Sequence, residues 1–284
     1  MIKLIECPRD AMQGLHDFIP TQLKADYINQ LLKVGFDTID FGSFVSPKAI
    51  PQMRDTAKVL KKLDLSVSTS KLLGIVANKR GADDACSFDE ITYLGFPFSI
   101  SETFQMRNTN SSIEESFLRV ETIQEECLKN KKQLVVYLSM AFGNPYGDPW
   151  DMEVVAYWGN RLHKDLGINI IALGDTIGVS NRENITAMFT GLQSELPDVE
   201  IGAHLHSTPD SAQEKVSAAY EAGCRRFDGA IKGFGGCPMA KDDLTGNMPT
   251  EVMLAYFHEN KIKTVIDQDE FNRALQMSTH VFPK

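Results

Sequence analysis

Eight short runs of apolar and β-branched residues recur along this chain, and stretches with helical spacing lie between them. The runs fall near 2–7, 38–44, 65–70, 90–96, 133–140, 168–174, 200–205 and 226–231. Segments 22–34, 113–129, 152–166 and 211–222 repeat apolar side chains at three and four. That is the period of a helix with one face on a core. Strands alternating with helices imply a parallel sheet, because a parallel partner is reached only through a crossover. Eight such units in 284 residues suit a closed (β/α)8 TIM barrel, an α/β fold of about 250 residues. A doubly wound open sheet is the alternative, but no GxGxxG follows the first run, which weakens it. No low-complexity linker interrupts the chain, so 1–284 reads as one catalytic domain. Helical patterns at 250–260 and 267–278 follow the eighth unit and are expected to pack against the barrel.

Local signals agree with these boundaries. Ser111-Ser112-Ile113-Glu114-Glu115 has the form of a capping box. Pro149 and Pro249 stand where helices begin. Gly35, Gly167 and Gly223 stand where helices end.

In a parallel barrel the strand ends meet at one mouth, where such barrels do chemistry. Four polar motifs fall at predicted strand ends: Pro8-Arg9-Asp10, Asp40-Phe41-Gly42-Ser43, His204-Leu205-His206, and Gly233–Pro238 with Asn247 beyond it. Two histidines at spacing two share one face of a strand. They are either a metal-ligating pair or two buried, hydrogen-bonded imidazoles. With Asp10 and the Asn247 amide they form a mixed oxygen and nitrogen set that suits octahedral Mg²⁺ or Mn²⁺. Gly235-Gly236-Cys237-Pro238 reads as a lid that carries a thiol to the substrate. Asp175, at the end of the sixth run, points to the mouth or caps the next helix. Tyr146 reads as a turn residue, His16, His163, His258 and His280 as structural or surface, and Arg225-Arg226 as a solvated pair.

Composition narrows the partners. A formal net charge of −9 argues against nucleic acid or anionic membrane as the main partner, since both need a basic surface. Five cysteines with no CxxC pair read as free thiols in a reducing compartment. No apolar run approaches the roughly 20 residues of a membrane span, and the first residues run straight into a strand. Cytoplasm is the expected location.

These residues resemble the 3-hydroxy-3-methylglutaryl-CoA lyase family, metal-dependent lyases and synthases built on TIM barrels. The likeness runs from Pro8-Arg9-Asp10 to Glu251. Its most specific blocks are Ser43-Phe44-Val45-Ser46-Pro47-Lys48, Ser112-Ile113-Glu114-Glu115-Ser116, Leu173-Gly174-Asp175-Thr176-Ile177-Gly178, Gly235-Gly236-Cys237-Pro238 and Gly246-Asn247. The resemblance implies Asp10, His204, His206 and Asn247 as ligands of a divalent cation. It implies Arg9 as stabiliser of an enolate oxygen and Asp175 as a helper in proton transfer. Cys237 becomes an acid/base on the lid, and Glu251 a supporting group near the metal. His204 and Asp10 count among the catalytic residues as well as the ligands. Implied with them are an acyl-CoA substrate, cleavage to acetyl-CoA and acetoacetate as in leucine degradation, and a homodimer. The chain departs from the family at Asp40, where a longer Glu is usual, so a carboxylate that must bond its neighbour is one methylene short. Ala11 replaces Gly, Met239 replaces Tyr, Asn144 replaces Cys, and Ser70 stands near a position where Asn is commoner.

Two other functions fit the same residues. One is a condensing transferase of the homocitrate or isopropylmalate synthase kind, which usually carries a regulatory region for which this chain leaves no room. The other is a barrel that binds metal and acyl-CoA without turnover.

Overall fold

A computed structural model describes residues 1–236 and 245–282. The first seven barrel strands are β1 (Lys3–Glu6), β2 (Thr38–Ser43), β3 (Lys71–Ile75), β4 (Ile91–Ser99), β5 (Gln133–Ser139), β6 (Ile170–Gly174) and β7 (Glu200–His204). A two-residue strand, β8 (His206–Ser207), then leaves the barrel, and β9 (Arg226–Gly229) completes it. Closure is parallel, with Lys3 opposite Arg226 and Glu6 opposite Gly229. The (β/α)8 barrel is therefore present as expected, with the strands joined in chain order.

Helices surround it: α1 (Pro8–Gln13), α2 (Thr21–Leu32), α3 (Thr56–Leu60), α4 (Lys79–Cys86), α5 (Glu102–Thr109), α6 (Ile113–Lys129), α7 (Met152–Leu166), α8 (Arg182–Glu195), α9 (Ala212–Glu221), α10 (Thr250–Glu259) and α11 (Gln268–Val281). The capping box opens α6, with Ser112 and Glu115 bonding each other's backbone N–H. Gly167 closes α7 in the left-handed conformation, φ 70°, where glycine carries no Cβ penalty. The last two helices do pack on the barrel. Phe257 of α10 lies 5.5 Å from Phe227 of β9, and Phe271 of α11 lies 6.5 Å from Phe36.

The third strand is a correction. It runs Lys71–Ile75, whereas 65–67 forms a single 3-10 turn. The Leu-Ser-Val-Ser-Thr-Ser run at 65–70 alternates, but its small polar side chains offer little to bury. Lys71-Leu-Leu-Gly-Ile supplies apolar faces on both sides of the barrel wall, as a parallel strand needs. Arg226 is a second correction: it is fully buried at the start of β9 rather than solvated.

The barrel interior is divided. From β3 to β6 it is filled by Leu73, Ile75, Tyr93, Val135, Tyr137, Ile170 and Ala172. The sector from β7 through β9 to β2 instead carries His204, Arg226, Asp228 and Asp40. Charge at such depth is expensive unless paired, so this sector is where the fold gives up stability for chemistry.

Candidate active site

Asp10 follows β1 immediately, in the first turn of α1. His204 ends β7, and His206 begins β8. A carboxylate oxygen of Asp10 and one ring nitrogen from each histidine lie within 4.8 Å of one another. The antiparallel pair of β8 with β10 (Gly246–Asn247) sets Asn247 directly opposite His206. Asn247 Nδ2 donates to Asp10 Oδ2 at 2.7 Å and to the Phe234 carbonyl at 2.8 Å. All four proposed ligands thus converge at the mouth.

The hydrogen bonds around the rings choose which nitrogens are offered. His204 Nδ1 lies 3.2 Å from Asp228 Oδ2, and His206 Nδ1 lies 3.0 Å from the Thr176 carbonyl. Both acceptors require a proton on Nδ1, so in the neutral rings each Nε2 keeps its lone pair. His206 Nε2 is buried and has no hydrogen-bond partner among the described residues. A buried acceptor left open is costly, and a divalent cation would satisfy it. Carboxylate, imidazoles and amide make a hard or borderline donor set, so the residues fit a divalent ion. Burial would raise the Asp10 carboxyl, but Arg9, the two imidazoles and Asn247 hold it at about 2. It is an anion at any working pH. Cys7 Sγ, His204 and Asp228 form a second close group, but burial pushes the Cys7 thiol well up. A buried neutral thiol is a poor ligand.

Arg9 is clamped from two sides. Its Nη1 donates to Asp10 Oδ1 at 2.8 Å, its Nε to Asp40 Oδ1 and Oδ2 at 3.1 and 3.0 Å, and its Nη2 also to Asp40. The shorter acid at position 40 does reach its partner. A register shift between Asp40 and Gly42 marks a bulge in β2, a device that re-aims side chains beside sites. Burial pushes the Asp40 carboxyl up to about 6, with Arg9 pulling the other way. Burial alone would lower the Arg9 pKa, but Asp40 and Asp10 raise it. Two of the five guanidinium N–H groups have no partner among the described residues.

Asp175 is placed differently from expectation. Its carboxylate faces Lys215 Nζ at 2.8 Å and accepts from Ser180, while its neighbours Gly174 and Thr176 line the cleft. It does not cap α8 either, where Asn181 does. Lys215 Nζ also donates to the His206 carbonyl at 2.7 Å, so this pair buttresses His206 from behind. Glu251 sits apart from the ligand cluster and accepts from the Lys232 N–H at 3.0 Å, at the root of the glycine loop. Cys237 lies outside the described residues. Before it, Gly235 takes φ 86°, and a Cβ there would sit 2.7 Å from the Asp10 carbonyl and 2.8 Å from Asn247 Nδ2. Only glycine lets the loop run so close to Asp10 and Asn247.

Arg9, Asp10, His204 and His206 form one wall of a cleft of about 410 Å³, with Ile75, Phe104 and Tyr137 among its other linings and Gly236 at its rim. Another cavity, about 350 Å³, opens at the opposite end beside Lys3, Glu200 and Arg225. Barrel chemistry belongs to the first face, and that is where the metal-capable residues meet. Asp228, Lys215 and Gln13, which bonds Asp10 Oδ1 at 2.6 Å, were missed in the sequence. Asp228 alone carried a signal: an acid inside a run read as a buried strand.

Fold and site together define a (β/α)8 barrel whose mouth gathers residues that could hold a metal ion. Residues 2–277 match the HMGL-like family model. The chain belongs to that family. It is 33% identical over 257 residues to the hydroxymethylglutaryl-CoA lyase of Bacillus subtilis, covering 90% of this chain and 85% of the relative. It is 33% identical over 269 residues to the cytoplasmic 3-hydroxy-3-methylglutaryl-CoA lyase of Danio rerio, covering 94% and 78%. An HMG-CoA lyase from Acinetobacter baumannii, solved with coenzyme A and 3-methylmalate, superposes with a TM-score of 0.89 at 31% identity, over 99% of this chain and 91% of that one.

Proposed function

We propose that this protein is an enzyme that cleaves 3-hydroxy-3-methylglutaryl-CoA to acetyl-CoA and acetoacetate. The observation that carries the reading is the convergence of Asp10, His204 and His206 beside a guanidinium that is held charged. Family membership and relatives named for this reaction support it.

Asp10, His204 and His206 through Nε2, and Asn247 through Oδ1 would hold the cation. A divalent ion there would acidify and orient the substrate's tertiary alcohol. Asp10, kept ionised, is the carboxylate at hand for the hydroxyl proton. As the carbon–carbon bond breaks, charge moves to the thioester oxygen. Arg9 presents its two spare N–H groups to that oxygen, and Asp40 keeps the fork from turning away. The pair Lys215 and Asp175 holds His206 in place through its carbonyl. Asp175 therefore serves the proton transfers indirectly. Cys237 is assigned the proton that quenches the enolate, because the chain enters the cleft at Gly236. Glu251 steadies the loop root through Lys232.

Mg²⁺ or Mn²⁺ is the cation we assign, since the donor set contains no thiolate. The substrate class is acyl-CoA, as bound in the Acinetobacter relative. Cytoplasm, a homodimer and a place in leucine degradation complete the proposal. Four unpaired thiols among the described residues and the cytoplasmic Danio rerio relative support the first of these. Among the described residues, no helix is long and apolar enough to cross a membrane.

Incubation with 3-hydroxy-3-methylglutaryl-CoA and Mn²⁺ should release acetyl-CoA and acetoacetate in equal amounts. Condensation of acetyl-CoA with a 2-oxo acid, without cleavage, would assign the transferase instead.

A further inference from the structure

Beneath the cation seat the barrel contains a buried acid and a buried base on one strand. Asp228 and Arg226 are two residues apart on β9, so both project to the same side, and their exposures are 2% and 0%. The stem of Arg226 lies over β7, where Gly202 makes room for it. A Cβ at Gly202 would come within 3.0 Å of Arg226 Cδ. Two residues further along β7 stands His204, with Nδ1 facing Asp228 Oδ2 at 3.2 Å and its ring edge-on to Tyr137 at 5.3 Å between centroids. Read upward, the column runs from Arg226 through Asp228 to His204 and the mouth.

The two histidines are thus held unequally. His206 bonds a neutral carbonyl, whereas His204 bonds a carboxylate. A carboxylate on Nδ1 fixes the tautomer and strengthens Nε2 as a donor. We infer that Asp228 is the positioning residue that commits His204 Nε2 to the cation. The role rests on the cation reading proposed above. It also explains why the fold keeps charge where barrels usually stack branched apolar side chains.

Two measurements test it. In metal-free wild-type protein, ¹⁵N–¹H correlation of the imidazoles should show His204 protonated on Nδ1. Asp228→Asn should bind Mn²⁺, followed by its free-ion EPR signal, about 10- to 100-fold more weakly than wild type. A neutral His204 with its only ring proton on Nε2 overturns the inference. So does a folded Asp228→Asn protein that binds Mn²⁺ as tightly as wild type. If that variant does not fold, the tautomer in the wild type decides alone. Wild-type protein that binds no Mn²⁺ overturns the cation reading instead, and the tautomer still judges Asp228.

Discussion

Arg9 Nε lies 3.0 Å from one carboxylate oxygen of Asp40 and 3.1 Å from the other. The guanidinium is therefore held in the plane of a fully buried acid, and its direction is set before substrate arrives. Arg9→Gln should lower kcat by about 10²- to 10³-fold, the loss expected for one preorganised charge stabiliser. Mn²⁺ affinity should change little, because a cationic side chain is not a ligand. Parallel steady-state and Mn²⁺-binding measurements check this, and an equal loss in both would make Arg9 structural.

Asp40→Glu tests the departure at that position from the other side. Asp40 is 1% exposed and already reaches its partner, so an added methylene has no vacant space to enter. Overpacking of this kind costs about 1–3 kcal/mol. The variant should melt at a lower temperature and keep measurable turnover. Calorimetry and the cleavage assay check both, and a folded but wholly inactive variant would contradict it.

Glu6 supplies a pH signature. It accepts from the Ile231 N–H at 2.8 Å and the Thr250 hydroxyl at 2.6 Å, and burial pushes its carboxyl from 4.5 up to about 8 against those two bonds. The folded chain binds this proton more tightly than the unfolded one. The associated stability is full at low pH and is lost as pH rises through about 8. Glu6→Gln keeps the shape without the titration. Its Tm should fall less than that of the wild type between about pH 5 and pH 8.5. Parallel slopes would remove Glu6 from the account.

Lys215 and Asp175 form an ion pair with side-chain exposures of 3% and 0%. Lys215→Met leaves the acid buried without its partner, which typically costs about 3–5 kcal/mol. Chemical denaturation should show a loss of that size. A loss within the error of the fit would mean that Ser180 suffices for Asp175.

The fold was legible because alternation at two periods is a property of the chain itself. Strand three failed because Leu65 and Val67 sit among serines and threonines, which mimic a strand's spacing without its burial. The residues proposed as ligands stand out because each falls at or near a strand end in a short polar motif. Asp228, Lys215 and the burial of Arg226 were not, since their roles depend on what barrel closure brings beside them. Lys215 on α9 looks like any helix lysine until Asp175 and the His206 carbonyl are set against it. Asp175 was misplaced for the same reason: its position at the mouth was right, but the direction of its side chain is fixed by Lys215.

The central claim is that cleavage needs one cation at the Asp10–His204–His206 cluster. The most direct test follows acetoacetate release while Mn²⁺ is titrated into EDTA-stripped protein. The account predicts no turnover in the stripped protein, and a rate that climbs with bound Mn²⁺ and levels off at one ion per chain. Full turnover without metal, or none at full occupancy, would contradict it.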